Sequence, residues 1–144
     1  MRRTVITVVA SMLLAASVRA AAPEVVVIVN ARNPAASLSG DQLRQLFLGR
    51  QSFWPDQTRV VTGMMPIGEP AMTSFCSQVL RKSPDQFQSY WRSRIFAGEG
   101  GAPRTFARVE DAVAFVRDNA GAVAVLTSAP ASYDGIKRVE VKLE

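Results

Sequence analysis

Histidine is absent from this chain of 144 residues, and cysteine occurs once, at Cys76. Without histidine there is no imidazole to act as general acid or base near neutral pH, and the usual zinc ligand sets cannot be assembled. Most hydrolytic schemes lose their base at that point, and no base–nucleophile pair can be built from what remains. One thiol cannot form an internal disulfide, so the fold has to be held by a packed core. The chain also lacks any internal repeat, any linker long enough to divide it, and any basic stripe interleaved with aromatics of the kind nucleic acid selects. No cofactor motif, metal-ligand spacing or nucleic-acid signature is present.

The N-terminus carries the longest hydrophobic run. Arg2 and Arg3 precede an apolar or small stretch from Thr4 to Val18, and Val18-Arg19-Ala20 places small residues where a signal peptidase reads them. The run is about 15 residues long, short of the roughly 20 that span a bilayer. It therefore reads as a cleavable secretory signal, residues 1–20, rather than an anchor. No cysteine follows it to take a lipid. Cleavage after Ala20 removes three of the 17 basic residues, leaving 14 basic against 12 acidic and a net charge of +2. The sequence pI near 10.1 is thus partly a property of the signal. Residues 21–144 form one domain, of a size suited to a single core, and the chain is expected to be exported.

Glu24 to Asn30 is a β-branched apolar run of strand length, as expected for a strand covered on both faces. Asn33-Pro34 breaks the chain into a loop. Ser39 and Gln42 form a capping box opening a helix with Leu43, Leu46 and Phe47 on one face, and Gly49 stops it. Arg59–Met64 is a second strand. Pro66-Ile67-Gly68-Glu69-Pro70 leads into a helix with Met72, Phe75, Cys76, Val79 and Leu80 on one stripe; Cys76 reads there as a small buried hydrophobe. Ser83-Pro84-Asp85-Gln86 is a second capping box, and its helix presents Phe87, Tyr90, Trp91 and Ile95. A glycine-rich loop, 97–103, lacks the ending of a phosphate loop and reads as a connection. A helix with Val109, Ala112, Val113 and Val116 follows, then an apolar strand from Ala122 to Thr127. Lys137–Lys142 alternates, which predicts a half-exposed edge strand. The fold class is α/β, a small central sheet with helices packed on it.

Isolated charges read as local structure. Asp41, Asp56, Asp85 and Asp134 sit at turns and helix starts, where capping accounts for them. Arg92, Arg94 and Arg104 surround the glycine loop, where they form either a solvated face or an anion lure.

These elements, in this order, resemble the small phosphate-type periplasmic solute-binding proteins, the substrate-binding components of phosphate ABC transporters. The carriers are Val29-Asn30 with Asn33-Pro34, Leu38-Ser39 through Leu43 to Phe47-Leu48-Gly49, and Trp54-Pro55-Asp56. Further on come Gly68, Phe75, Val79-Leu80 with Ser83, Tyr90-Trp91, Ile95-Phe96-Ala97-Gly98 with Pro103, and Asn119-Ala120-Gly121-Ala122-Val123. The resemblance implies a periplasmic-binding-protein-like fold of a single lobe and a non-enzymatic role. It implies solute capture at the sheet edge, near the starts of the helices around Ser39 and Gly68. Ser39, Gly68, Glu69 and Thr73 are the candidate ligand-binding residues, for a small anion or other small solute.

The family's own anion ligands are an arginine and a Gly-Ser-Gly-Thr turn at a helix N-terminus, where amides and the helix dipole face the anion. Anchored on Gly68 and Phe75, those positions fall at Met65, Glu69, Pro70 and Ala71. The usual phosphate ligands are lost. Glu69-Pro70 reads as an ordinary helix start, or as an internal carboxylate filling the anion position. An alternative role is an interaction or sensory adaptor module docking to a porin, a transporter or a sensor protein.

Overall fold

The computed structural model describes residues 25–143. The expected signal, residues 1–20, and the first residue of the predicted opening strand, Glu24, lie outside the described residues. The elements are β1 (Val26–Asn30), β2 (Ser37–Ser39), α1 (Gly40–Phe47), β3 (Val61–Met64), α2 (Pro70–Phe75), α3 (Pro84–Phe96), β4 (Arg104–Thr105), α4 (Val109–Asp118), β5 (Ala122–Leu126) and β6 (Ile136–Lys142). A π-helical turn, Cys76–Leu80, extends α2 and ends at Arg81 in the left-handed region, φ 56°.

The six strands make one mixed sheet in the order β2-β6-β1-β5-β3-β4. β1 runs antiparallel to both β5 and β6, whereas β3 is parallel to β5 and β4, and β2 is parallel to β6. β1 and β5 are buried along their whole lengths, as their unbroken apolar runs require. α4 packs Ala112 and Val116 inward against them. α1 buries Leu43, Leu46 and Phe47, and Phe47 meets Phe75 edge to face with centroids 5.5 Å apart. The mixed α/β sheet with packed helices is the architecture the sequence predicts.

Three details depart from expectation. β6 is half-exposed but is not an edge: β2 pairs along its outer side, Leu38 opposite Val141. β2 and β4 have three and two residues, and no strand is expected at either from the sequence; segments that short show no period. Ile95 was expected on the packed face of α3, and it is 54% exposed with Phe96 beside it at 94%. The buried anchors of α3 are Phe87 and Trp91, and its last turn projects past the core.

Candidate functional site

Parallel strands end their carboxyl sides at one edge of the sheet, the usual place for ligands in open α/β folds. Here β3 delivers Met64 to that edge, in register with Val125 of β5 and Thr105 of β4. The chain then turns through Pro66, Ile67, Gly68 and Glu69 into α2. A cavity of about 850 Å³ opens beside this turn. Met64, Pro66, Ile67 and Gly68 line one side, Phe87, Gln88, Trp91, Arg92, Ile95 and Phe96 of α3 another, and Ala102, Pro103 and Thr105 a third. The wall is mostly apolar, and its polar side chains are Gln88, Arg92 and Thr105.

The position of α3 follows from its anchors. Ser83 Oγ accepts from the Gln86 amide (3.1 Å) and Gln86 Oε1 accepts from the Ser83 amide (2.9 Å), with Pro84 at the first helical position. Trp91 Nε1 donates to the Phe47 carbonyl at 3.1 Å and Tyr90 Oη donates to the Leu48 carbonyl. Arg94 donates to Tyr90 Oη (3.2 Å) and the Gly49 carbonyl (3.4 Å), and pairs with Glu99 at 3.5 Å. Gly49 has φ +71°, and a Cβ there would lie 2.7 Å from the Trp91 ring. Gly49 is therefore more than a helix stop, since it lets α3 close on the end of α1.

Several donors around the turn before α2 are satisfied locally. The Glu69 amide donates to the Pro66 carbonyl at 3.1 Å, and the Glu69 carbonyl accepts from the amides of Met72 (2.9 Å) and Thr73 (3.0 Å). Pro70 has no amide hydrogen. Thr73 Oγ1 lies 3.2 Å from the Ile67 carbonyl and 3.3 Å from that of Glu69, so its proton is directed at backbone. Glu69 is the N-cap of α2 without a side-chain capping bond. Met65, where the resemblance places an arginine, is 2% exposed and belongs to the core.

Gly68, Glu69 and Thr73 are thus gathered in one turn, and Gly68 lines the cavity. Ser39 is not brought to them. Its Oγ accepts from the Gln42 amide (3.0 Å), its amide donates to Gln42 Oε1 (2.9 Å), and it borders a separate polar depression with Asp41, Arg44 and Arg81. Of the three arginines around the glycine loop, Arg92 alone lines the cavity. Arg94 is held by the contacts above, and Arg104 sits over the Phe115 ring, 5.6 Å from its centroid.

Other candidates resolve into structure. Asp56 Oδ1 accepts from the Thr58 amide at 3.0 Å, and that bond holds its carboxyl below the usual range. Trp54 is buried and donates to the Gly121 carbonyl at 2.9 Å. Cys76 is fully buried, and desolvation pushes its thiol up to about 11. Among the described residues, no group of three or more Cys, Asp or Glu side chains is placed to hold a metal, and no helix is long and apolar enough to cross a membrane.

Of the cavity residues on α3 and the 102–105 segment, the sequence reading raised Arg92 alone, as a solvated face or an anion lure, and left the others out of the site. The available signal was Phe87, Trp91 and Ile95 on one helix flanked by Arg92, read as core packing.

No protein-family model and no curated protein matches the sequence. Solved structures do match. One is a protein from Clostridium perfringens described as a phosphate ABC transporter substrate-binding protein, solved with bound phosphate, with TM-score 0.62 and 16% identity. Another is an ABC-type phosphate transport receptor from Vibrio cholerae (TM-score 0.60, 15% identity), and a third is PstS from Borrelia burgdorferi (TM-score 0.57, 8% identity). Each match covers 81% of this chain but only 44%, 45% and 46% of the respective solved chain. The chain therefore has the periplasmic-binding-protein-like fold of these phosphate-type proteins, over less than half of their length.

Proposed function

We propose that this protein is a periplasmic solute-binding module, exported through a signal peptide at residues 1–20, with the cavity beside Gly68 as its solute site. The observation that carries this reading is the position of the cavity. It lies at the carboxyl edge of β3, against the turn where the resemblance places the anion ligands. The fold it shares with proteins described as phosphate-binding supports a binding role over catalysis.

The solute fitted by this wall has an apolar body and one anionic group. Phe87, Trp91, Ile95 and Phe96 offer the apolar contact, and Arg92 offers the charge. Inorganic phosphate fits the same wall poorly. The Glu69, Met72 and Thr73 amides and the Thr73 hydroxyl are already engaged, and Glu69 adds negative charge where phosphate would sit.

Thermal-shift and calorimetric titration of the purified mature protein test this directly. Phosphate at millimolar concentration is expected to leave the melting temperature unchanged, whereas an aromatic carboxylate such as phenylacetate raises it and loses affinity in Arg92→Ala. A clear shift with phosphate sinks the lost-ligand reading. No response to any apolar anion removes the solute site and favours the second reading, an interaction or adaptor module docking to a porin, transporter or sensor protein. The observation behind that second reading is Phe96, 94% exposed on the cavity rim.

A further inference from the structure

We propose that this chain carries a second binding site, for a small neutral molecule with a carbonyl group on an apolar body. It lies at the other end of the sheet from the cavity beside Gly68, and it does not depend on that cavity's role.

β1 runs antiparallel to β5, and β5 runs parallel to β3. The last residue of β1, Asn30, therefore marks the end of the sheet away from the carboxyl end of β3. The loop after β1 borders a cavity of about 300 Å³, shared with Gln42 and Leu46 of α1 and with Gln51, Trp54 and Pro55. That volume is at the lower end for small-molecule sites. Leu38, Leu46 and Trp54 are buried and give it an apolar wall, and none of its lining side chains is charged.

Asn33 belongs to the same wall and is only 3% exposed. Its Oδ1 accepts from the Ala35 amide at 2.9 Å, which fixes which way the carboxamide faces. Its Nδ2 is buried and has no partner. Native proteins leave few buried donors unpaired, and each one costs stability. The turn does not require this donor, because an aspartate would accept the same Ala35 amide with no N–H left over. The remaining polar groups of the wall are partly spent: Gln42 Oε1 accepts from the Ser39 amide, and Gln51 Nε2 donates to the Phe53 carbonyl.

An uncharged donor in an uncharged, mostly apolar cavity selects a neutral acceptor. A carboxylate or phosphate would lose its water there with no cation to offset the loss. Nδ2 is shut off from solvent, so the carbonyl oxygen meets it through a small outward shift of the loop at Pro34, which is exposed.

The chain has two tryptophans, one on each cavity: Trp54 here and Trp91 beside Gly68. Their indole N–H peaks in a ¹H–¹⁵N spectrum of the mature protein report the two sites separately. Acetophenone should shift the Trp54 indole and the Asn33 side-chain amide saturably and leave the Trp91 indole in place. α-Methylstyrene, which has the same shape with a methylene in place of the carbonyl oxygen, should bind at least about 10-fold more weakly, the difference made by one hydrogen bond to a buried donor. Asn33→Asp keeps the acceptor for the Ala35 amide and removes the donor, so it should weaken acetophenone by a similar factor. Should that variant not fold, the two probes on the parent protein decide alone. Equal affinity for the two probes overturns the proposal, as does a Trp54 peak that acetophenone does not move. A Trp91 shift with phenylacetate beside an unmoved Trp54 with acetophenone refutes this site and leaves the solute site standing. The opposite pair of results supports this site and removes the other.

Discussion

Gly121→Ala should be among the most damaging single-methyl changes in the chain. Gly121 is buried just ahead of β5, where the segment entering β3 crosses it. An added Cβ would lie 1.8 Å from the Arg59 carbonyl oxygen, 2.8 Å from its carbon and 3.0 Å from Thr58 Cγ2. The obstacle is backbone, so no rotamer change relieves it. Restoring ordinary contact needs about 1.5 Å of separation. The segment cannot yield freely, because Trp54 N–H donates to the Thr58 carbonyl at 2.8 Å and Phe53 bridges Arg59. Two bonds to the Gly121 carbonyl are at stake, from Trp54 Nε1 (2.9 Å) and the Val61 amide (3.1 Å). Overpacking costs about 1–3 kcal/mol and each lost bond about 1 kcal/mol, giving about 3–5 kcal/mol in all. Domains of this size hold about 5–15 kcal/mol in total. With a urea slope of about 2 kcal/mol/M, the midpoint should fall by roughly 2 M. Gly68→Ala is the matched control: an added Cβ there meets nothing within 4 Å. It should stay within about 0.5 kcal/mol of the parent or gain slightly through the unfolded chain. Urea midpoints for the two variants decide the matter. A Gly121→Ala protein as stable as the parent, or a Gly68→Ala protein that is badly destabilised, refutes the steric argument.

Asn30 and Cys76 give two further tests. Asn30 Nδ2 donates to the Val116 and Arg117 carbonyls, both at 3.0 Å, while its Oδ1 accepts from the Arg32 amide at 2.9 Å. Asn30→Ala should cost about 2–4 kcal/mol in urea unfolding, and Asn30→Asp should do no better, since it turns an acceptor toward two carbonyls. A near-parental Asn30→Asp would contradict this assignment. For Cys76, the folded thiol is raised from its ordinary 9.0 to about 11. The unfolded chain therefore releases this proton first, so stability is full below pH 9 and is lost as pH rises toward 11. Ellman's reagent should label it only on unfolding; prompt labelling of the native protein would count against its burial.

The parts of the fold that were legible in the sequence are those specified locally. A run such as Val26–Val29 or Ala122–Leu126 has to be a covered strand, and the Ser39–Gln42 and Ser83–Gln86 boxes start helices where expected. What escaped depends on distant partners. β2 is a strand because β6, about a hundred residues later, offers it an edge, and the same pairing turns β6 from an edge into an interior strand. Its side-chain alternation reports which faces are covered and is silent about which edges are paired. The two residues of β4 owe their pairing to β3 in the same way.

The site divides along the same line. Set against the resemblance, the residues from Met65 to Ala71 already lacked the anion ligands it leads one to expect. That the Glu69, Met72 and Thr73 amides and the Thr73 hydroxyl are already bonded to backbone carbonyls was not visible there, because those bonds appear only in three dimensions. Ser39 and Gly68 looked equivalent because each precedes a helix, yet Ser39 completes its own capping box and faces a different depression. The cavity wall was hidden for a further reason. It is assembled from three separated segments, and its form depends on Trp91 reaching the Phe47 carbonyl and on Gly49 admitting the Trp91 ring. Turn and wall then point to one conclusion. If the cavity beside Gly68 is the solute site proposed above, recognition there falls to α3, with Phe87 and Trp91 beneath and Arg92 and Phe96 at the rim. Substitutions on the exposed side of α3 should therefore change what this face binds, whereas substitutions in the turn, Gly68→Ala among them, should leave its binding preference unchanged.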